Sequence, residues 1–247
     1  MSEKTIDLVG DEAFSAAILA RRRLENFPAN IYDEAVTSLR NYALSYLSGI
    51  ESVSFPNVTS IGESAFSYNH GMKRAEFANC TTFMGNVFRQ CEDLEEVVAP
   101  KLRSIGEYGF VWSPKMKRAE FPQLVSVGSG CFYGCTDLEE VVLPRLQVLY
   151  YAMFLGCNKL TQIDLPSVTT IRETCLASDN PNLVLNLGPN ISSINTAAFS
   201  QAPAGMVLNL PVAEGEIAGA PWGGAGIVIN YNHPYSGTVP IPEDTQP

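Results

Sequence analysis

Histidine is nearly absent: the 247-residue chain has two, His70 and His233. A histidine-based triad or metal cluster therefore has little to be built from. Charged residues make up only 17% of the chain, where compact globular proteins have roughly 25%. Cations are the scarcer sign, with 16 Lys and Arg against 26 Asp and Glu and a net charge of −10. Nucleic acids and anionic membranes need clustered cations, so neither is an expected partner. Six cysteines are present but no CxxC, which argues against zinc. GxSxG, GxGxxG and GxxxxGK[ST] are missing too, so the sequence offers no nucleophile elbow and no phosphate loop. No apolar run approaches the roughly 18 residues of a membrane-spanning helix. The opening stretch MSEKTIDLVGDEAF lacks the basic and apolar regions of a secretory signal, so none is expected. The reading is of a protein without cofactor, metal or reaction centre.

What the sequence has is repetition. MKRAEF stands at 72–77 and again at 116–121, 44 residues later. The underlying period is half that. An aliphatic or aromatic residue, followed five positions later by Phe or Leu, recurs from Leu39 through Ile61, Phe83, Ile105, Val127, Leu149, Ile171 and Ile194. The spacing is 22 residues six times and then 23, the extra residue being placed at Gly188. Position 6 of the unit is Leu44, Phe66, Phe88, Phe110, Phe132, Phe154, Leu176 and Phe199. Positions 15 and 17 are apolar in each unit, as in Val141 and Leu143, and a Pro usually follows. Alternation around 15 and 17 predicts a short strand, which Pro ends by removing a ladder donor. Each unit is then one strand and a return segment, unable to bury its apolar face until stacked on a copy of itself.

The spacing Ile-x₃-Ala-Phe-x₂-Cys-x₂-Leu-x₂-Val-x-Leu-Pro resembles the BspA-type (Treponema-type) leucine-rich repeats over about 39–211. The resemblance implies a right-handed, strand-dominated leucine-rich-repeat solenoid of about eight 22-residue coils. It also implies a bacterial surface or secreted protein of the adhesion type, found in gut bacteria and their prophages. The domain reading is a helical cap at 1–38, the solenoid at 39–211, and a cap strand with a flexible tail at 212–247. For the amino-terminal cap, DEAFSAAILARRRL (11–24) and IYDEAVTSLRNYALSYLSG (31–49) both have helical apolar spacing, and the second would cover the first strand. In the other cap, IVINY reads as a closing strand and Trp222 as its apolar anchor. GEIAGAPWG resembles a segment that follows such repeats in proteins of gut Firmicutes and their prophages.

The doubled period comes from charge. Unit positions 13 and 14 are Lys73-Arg74, Glu95-Glu96, Lys117-Arg118 and Glu139-Glu140. Stacked coils set equivalent residues about 4.8 Å apart, where like charges repel and alternating ones form a structural ladder. Position 16 alternates in concert as Glu76, Val98, Glu120 and Val142. It later becomes Asp164, Asn186 and Asn209, a column read mainly as a hydrogen-bonding ladder, with a cation or sugar as the other reading. The cysteines occupy inward positions and read as free buried thiols, although Cys135 and Cys157 would be neighbours in adjacent coils. Tyr68, Tyr108, Trp112, Tyr133, Tyr150 and Tyr151 fall in the return segments as a broken aromatic band on the convex side, the candidate surface for a protein or glycan. The function read from this is a non-enzymatic binding scaffold of the adhesion type. A prophage tail-associated recognition protein and an intracellular interaction scaffold are the alternatives, so the expected location is the cell surface or exterior, with virion or cytoplasm open.

Overall fold

The structure, a computed structural model, describes residues 29–176 and 180–243. The described residues form stacked coils with three walls. The first wall is the column of three- and four-residue strands from Asn30–Tyr32 through Ser52–Ser54, Arg74–Glu76 and onward to Val228–Asn230. The second is the column of two-residue strands from Ser38–Leu39 to Ser193–Ile194. All pairings are parallel and in repeat register, for example Arg74↔Glu96 and Ile61↔Phe83. Both walls change sheet midway: the first between Glu96–Val98 and Arg118–Glu120, the second between Ser126–Val127 and Val148–Leu149.

The third wall contains no strand. Its backbone nevertheless forms a ladder, in which the N–H groups of unit positions 4, 6 and 8 donate to carbonyls of the following coil. Tyr108 reaches Ser129 at 2.9 Å, Phe110 reaches Cys131 at 2.8 Å, and Trp112 reaches Tyr133 at 2.8 Å. Thus each wall of the coil satisfies its backbone against its neighbours, which an isolated coil cannot do.

The side chains explain the period. Phe66, Phe88, Phe110, Phe132 and Phe154 stack along the axis with centroids 5.2, 5.4, 5.4 and 5.6 Å apart and planes within 5° of parallel. Proline after the strand serves as the second residue of a β-turn, as at Pro100 and Pro144, where Leu102 N–H returns to Ala99 O and Leu146 N–H to Leu143 O. Gly188, the extra residue of the long unit, has no room for a side chain: a Cβ there would lie 1.7 Å from the Pro166 carbonyl oxygen.

The helix expected over 31–49 is not formed. Asn30–Tyr32 pairs with Ser52–Ser54 and Ser38–Leu39 with Ser60–Ile61, so this segment is a further coil. Its apolar residues Leu39, Ala43, Leu44 and Leu47 are buried at the same unit positions as their counterparts in later coils. Spacings of four and three mark a helical stripe, but they also occur within this 22-residue unit. Parallel pairing satisfies the donors and acceptors of Ser52–Ser54, which a covering helix would leave open. The other helix expected, 11–24, lies outside the described residues.

At the opposite end, Val228–Asn230 forms the expected closing strand on Val207–Asn209. Trp222 is fully buried, packs edge-on against Phe199 at 6.5 Å, and donates its indole N–H to Ala218 O. Its carbonyl accepts from Phe199 N–H, so the cap continues the third-wall ladder even though its sequence leaves the repeat. Within the tail expected to be flexible, Thr238 bonds Asp164 and Val239 is buried.

Candidate functional site

The third wall is built on an unusual backbone. Unit positions 4 and 8 have positive φ from coil to coil: Tyr42, Ser64, Asn86, Tyr108, Gly130, Ala152 and Thr174 at position 4, and Tyr46, Tyr68, Gln90, Trp112, Gly134 and Gly156 at position 8. These two left-handed residues turn the chain around the Phe column. Left-handed backbone strains any residue with a Cβ by about 1–2 kcal/mol. Glycine removes that strain, and Gly130, Gly134 and Gly156 show that the wall accommodates it. Five of the other occupants are nonetheless Tyr or Trp.

Three of these rings take part in two ring pairs. Tyr46 and Tyr68 stack at 4.4 Å and 9°. Trp112 meets Tyr133 at 4.9 Å and 46°. The two glycines of the coil after Tyr108 and Trp112 make room for their rings: a Cβ on Gly130 would lie 2.6 Å from Tyr108, and one on Gly134 2.9 Å from Trp112. Trp112 is 47% exposed, Tyr151 45%, Tyr42 43% and Tyr46 40%. Tyr150 is half-buried against the core instead. Between the ring pairs lies the coil carrying Asn86 and Arg89, whose Oδ1 and Nε are buried without a hydrogen-bond partner among the described residues.

Sequence reasoning named Tyr68, Tyr108, Trp112, Tyr133, Tyr150 and Tyr151 as the aromatic band. It missed Tyr42 and Tyr46, because reading 31–49 as helix hid their equivalence to Ser64 and Tyr68. It also missed why these positions matter, although glycine recurring at 130, 134 and 156 was the available sign of left-handed backbone.

The charged residues of the first wall resolve into pairs. Arg74 contacts both Glu76 and Glu96. Arg118 lies 3.1 Å from Glu120 and 3.2 Å from Glu140. Lys73 reaches back to Glu51 at 3.3 Å. The backbone N–H groups of Glu95 and Glu139 donate to Lys73 O and Lys117 O. A second alternation, unnoticed in the sequence, runs through position 11 as Asp93, Lys115, Asp137 and Lys159, with pairs at 2.5 and 2.7 Å. The hydrogen bonds that Lys115 and Lys159 donate to Asp93 and Asp137 raise the pKa of each lysine. His70 lies 3.5 Å from Glu92 on the exposed face.

All six cysteines are free and buried, with no bond between Cys135 and Cys157. Position 9 has a structural task. Cys91, Cys135 and Cys157 donate to the carbonyls of Phe66, Phe110 and Phe132, as Ser113 does to Phe88 and Asn69 to Leu44. A small donor is needed there to satisfy a buried carbonyl. Burial pushes the Cys91 and Cys135 thiols up to about 12, so they are not reactive nucleophiles at neutral pH. No group of three or more His, Cys, Asp or Glu converges to hold a metal among the described residues.

The position 16 column is a hydrogen-bonded ladder. Asn230 donates to Asn209 at 2.8 Å, Asn209 to Asn186 at 2.6 Å, and Asn186 to Asp164 at 2.7 Å. Asp164 also accepts from Gln162 at 2.8 and 2.9 Å and from Thr238. Burial alone would raise its pKa. The bonds from Asn186, Gln162 and Thr238 outweigh burial and hold it below the ordinary carboxylate value. With its oxygens committed to these donors, the column does not present a cation site.

This architecture defines the class: a leucine-rich-repeat solenoid whose coils are strand-built on two walls and turn-built on the third. The family model for the BspA type leucine rich repeat region matches in six copies, over residues 3–113 and 103–207. The chain belongs to that family. Among solved structures it is similar to the leucine rich repeat protein of T. pallidum, at 22% identity and a TM-score of 0.54, covering 68% of this chain and 80% of that one. It is also similar to a leucine-rich repeat protein of Bacteroides ovatus, at 19% identity and a TM-score of 0.44, covering 82% of this chain and 66% of that one. No curated protein matches the sequence.

Proposed function

We propose that the chain is a non-catalytic recognition scaffold of the adhesion type, and that its third wall binds a protein or a glycan. The carrying observation is the occupancy of the left-handed positions. Tyr46, Tyr68 and Trp112 stand in the same column as Gly134 and Gly156. Strain held where a strain-free residue fits is characteristic of functional positions, and exposed rings are what both protein and sugar ligands stack upon. Membership in a family of repeat scaffolds supports interaction as the role, and extended solenoid surfaces suit it.

The test is direct. Purified protein is screened against arrays of glycans and of extracellular-matrix proteins, with Trp112→Gly and Tyr68→Gly beside it. Either variant should weaken binding at least ten-fold, while thermal stability stays within about 1 kcal/mol because relief of strain offsets the lost ring contact. Full binding by both variants would move the site off this wall. An antibody applied to intact cells, cytosol and pelleted phage particles of the source culture checks the setting. Surface signal is expected for an adhesin, particle signal would make it a virion part, and signal confined to cytosol would remove both readings.

A further inference from the structure

The outer face of the first wall carries a second, smaller site at Asp164. In the preceding charged coils, acidic groups of this wall face Lys or Arg. Asp164 faces neutral donors: Gln162, Asn186, and Thr238 from the tail. It is 3% exposed. Its column neighbours Asn186, Asn209 and Asn230 show that a neutral amide serves for stacking alone. A carboxylate adds an acceptor strong enough to hold further donors from outside the sheet.

Those donors come from one residue. Thr238 presents its backbone N–H at 2.6 Å and its Oγ at 2.9 Å to the same oxygen, Oδ2. Gly237 precedes it where the chain passes so close that a Cβ would lie 2.7 Å from the Asp164 carboxyl carbon and 2.5 Å from the Tyr235 hydroxyl. Val239 follows, buried, and its carbonyl accepts from the Tyr235 hydroxyl at 2.6 Å. Tyr235 is the titratable group that faces the carboxylate: burial and the Asp164 charge both raise its pKa, keeping it neutral.

The solenoid is complete without this segment. The last rung closes at Asn230, and His233 N–H still bonds Leu210 O. The tail leaves the coil path there and returns 74 residues back in sequence. Docking is therefore separable from coil formation.

We propose that this patch is a peptide-binding site and that Tyr235–Val239 is its resident occupant. The partner it fits is a peptide that bends as the tail does and carries, in succession, glycine, a hydroxyl-bearing residue and a β-branched residue. Glycine is demanded by the close approach, the hydroxyl by Oδ2, and the apolar residue by the burial of Val239. The resident tail competes at an effective concentration of about millimolar, so a partner peptide enters when the tail is displaced.

The experiment uses the full chain and a fluorescent peptide, Tyr-Ser-Gly-Thr-Val-Pro. Thr238→Val removes the tail's hydroxyl, and Gly237→Ala blocks its close approach; neither changes the receptor face. Amide hydrogen exchange at 235–239 should rise in both variants. The peptide should then bind each variant at least ten-fold more tightly than it binds the wild type, and a peptide with Val in place of Thr should not bind. Released tails with no gain in peptide binding would overturn the proposal, leaving the tail as a fixed cap. Unchanged exchange in both variants would overturn it equally, because the clamp would not depend on Gly237 and Thr238.

Discussion

The first wall solves one problem in two ways along its length. From Glu51 to Glu140 its outer face carries exposed ion pairs; from Gln162 to Asn230 it carries amides that lead to one buried carboxylate. In both regions the repeat sets identical positions a strand spacing apart, so whatever stands there must agree with its own copy. Charge achieves this by alternating sign, which doubles the period to 44 residues. Asparagine achieves it within a single period, because each amide donates to one neighbour and accepts from the other. Exposed pairs contribute about 0.2–1 kcal/mol each and are screened by salt. Buried bonds to a charged acceptor contribute about 1.5–3 kcal/mol and are screened much less. The stability of the two regions should therefore respond differently to the same perturbations.

The largest effect is expected at the carboxylate. Asp164→Ala leaves Asn186, Gln162 and Thr238 without their acceptor, and should destabilise by about 3 kcal/mol with little dependence on salt. Thermal unfolding at low and high ionic strength measures this; a loss that salt largely restores would place Asp164 among the ordinary surface charges.

Acid should separate the regions next. The folded-state pKa of Asp164 is depressed below the ordinary 3.8. Its contribution is therefore fully present above that value and is lost as pH falls through the depressed one. Hydrogen exchange at decreasing pH should show Gln162–Leu165, Val184–Leu187 and residues 235–239 opening together below about pH 4. Protection of these segments that did not change with acid would show that the carboxylate is not what holds them.

The smallest effect belongs to the ion pairs. Replacing Glu95 and Glu96 with Lys sets cations opposite Lys73 and Arg74. It should lower stability by about 1 kcal/mol at low salt, with partial recovery at high salt. An unchanged melting temperature at low salt would show that the pairs contribute nothing.

How much of this was legible depended on whether a feature repeats. The Phe66–Phe154 column, the strand positions and Gly188 could be read off because each coil restates the same requirement. The segment 31–49 was misread because its apolar spacing suits both a helix and a coil, and only pairing with Ser52–Ser54 decides between them. The left-handed backbone of the third wall was partly written in Gly130, Gly134 and Gly156, but its aromatic occupants concealed it. The position 11 pairs were also in the sequence, one period apart, outside the strand on which attention fell. Docking of Thr238 on Asp164 left no sequence signal, since nothing periodic links residues 74 apart.

The sequence by itself determined the repeat length, the inward residues, the family and the alternation of charge. These follow from local periodicity, because each coil's nearest neighbour in space is also its nearest copy in sequence. Tertiary structure alone decided that the segment from Asn30 to Gly49 is a coil, that Trp222 continues the third wall, and that residues 235–239 return to Asp164. Those contacts join segments whose sequences do not resemble each other, and packing and hydrogen-bond satisfaction select them only after the coils have stacked.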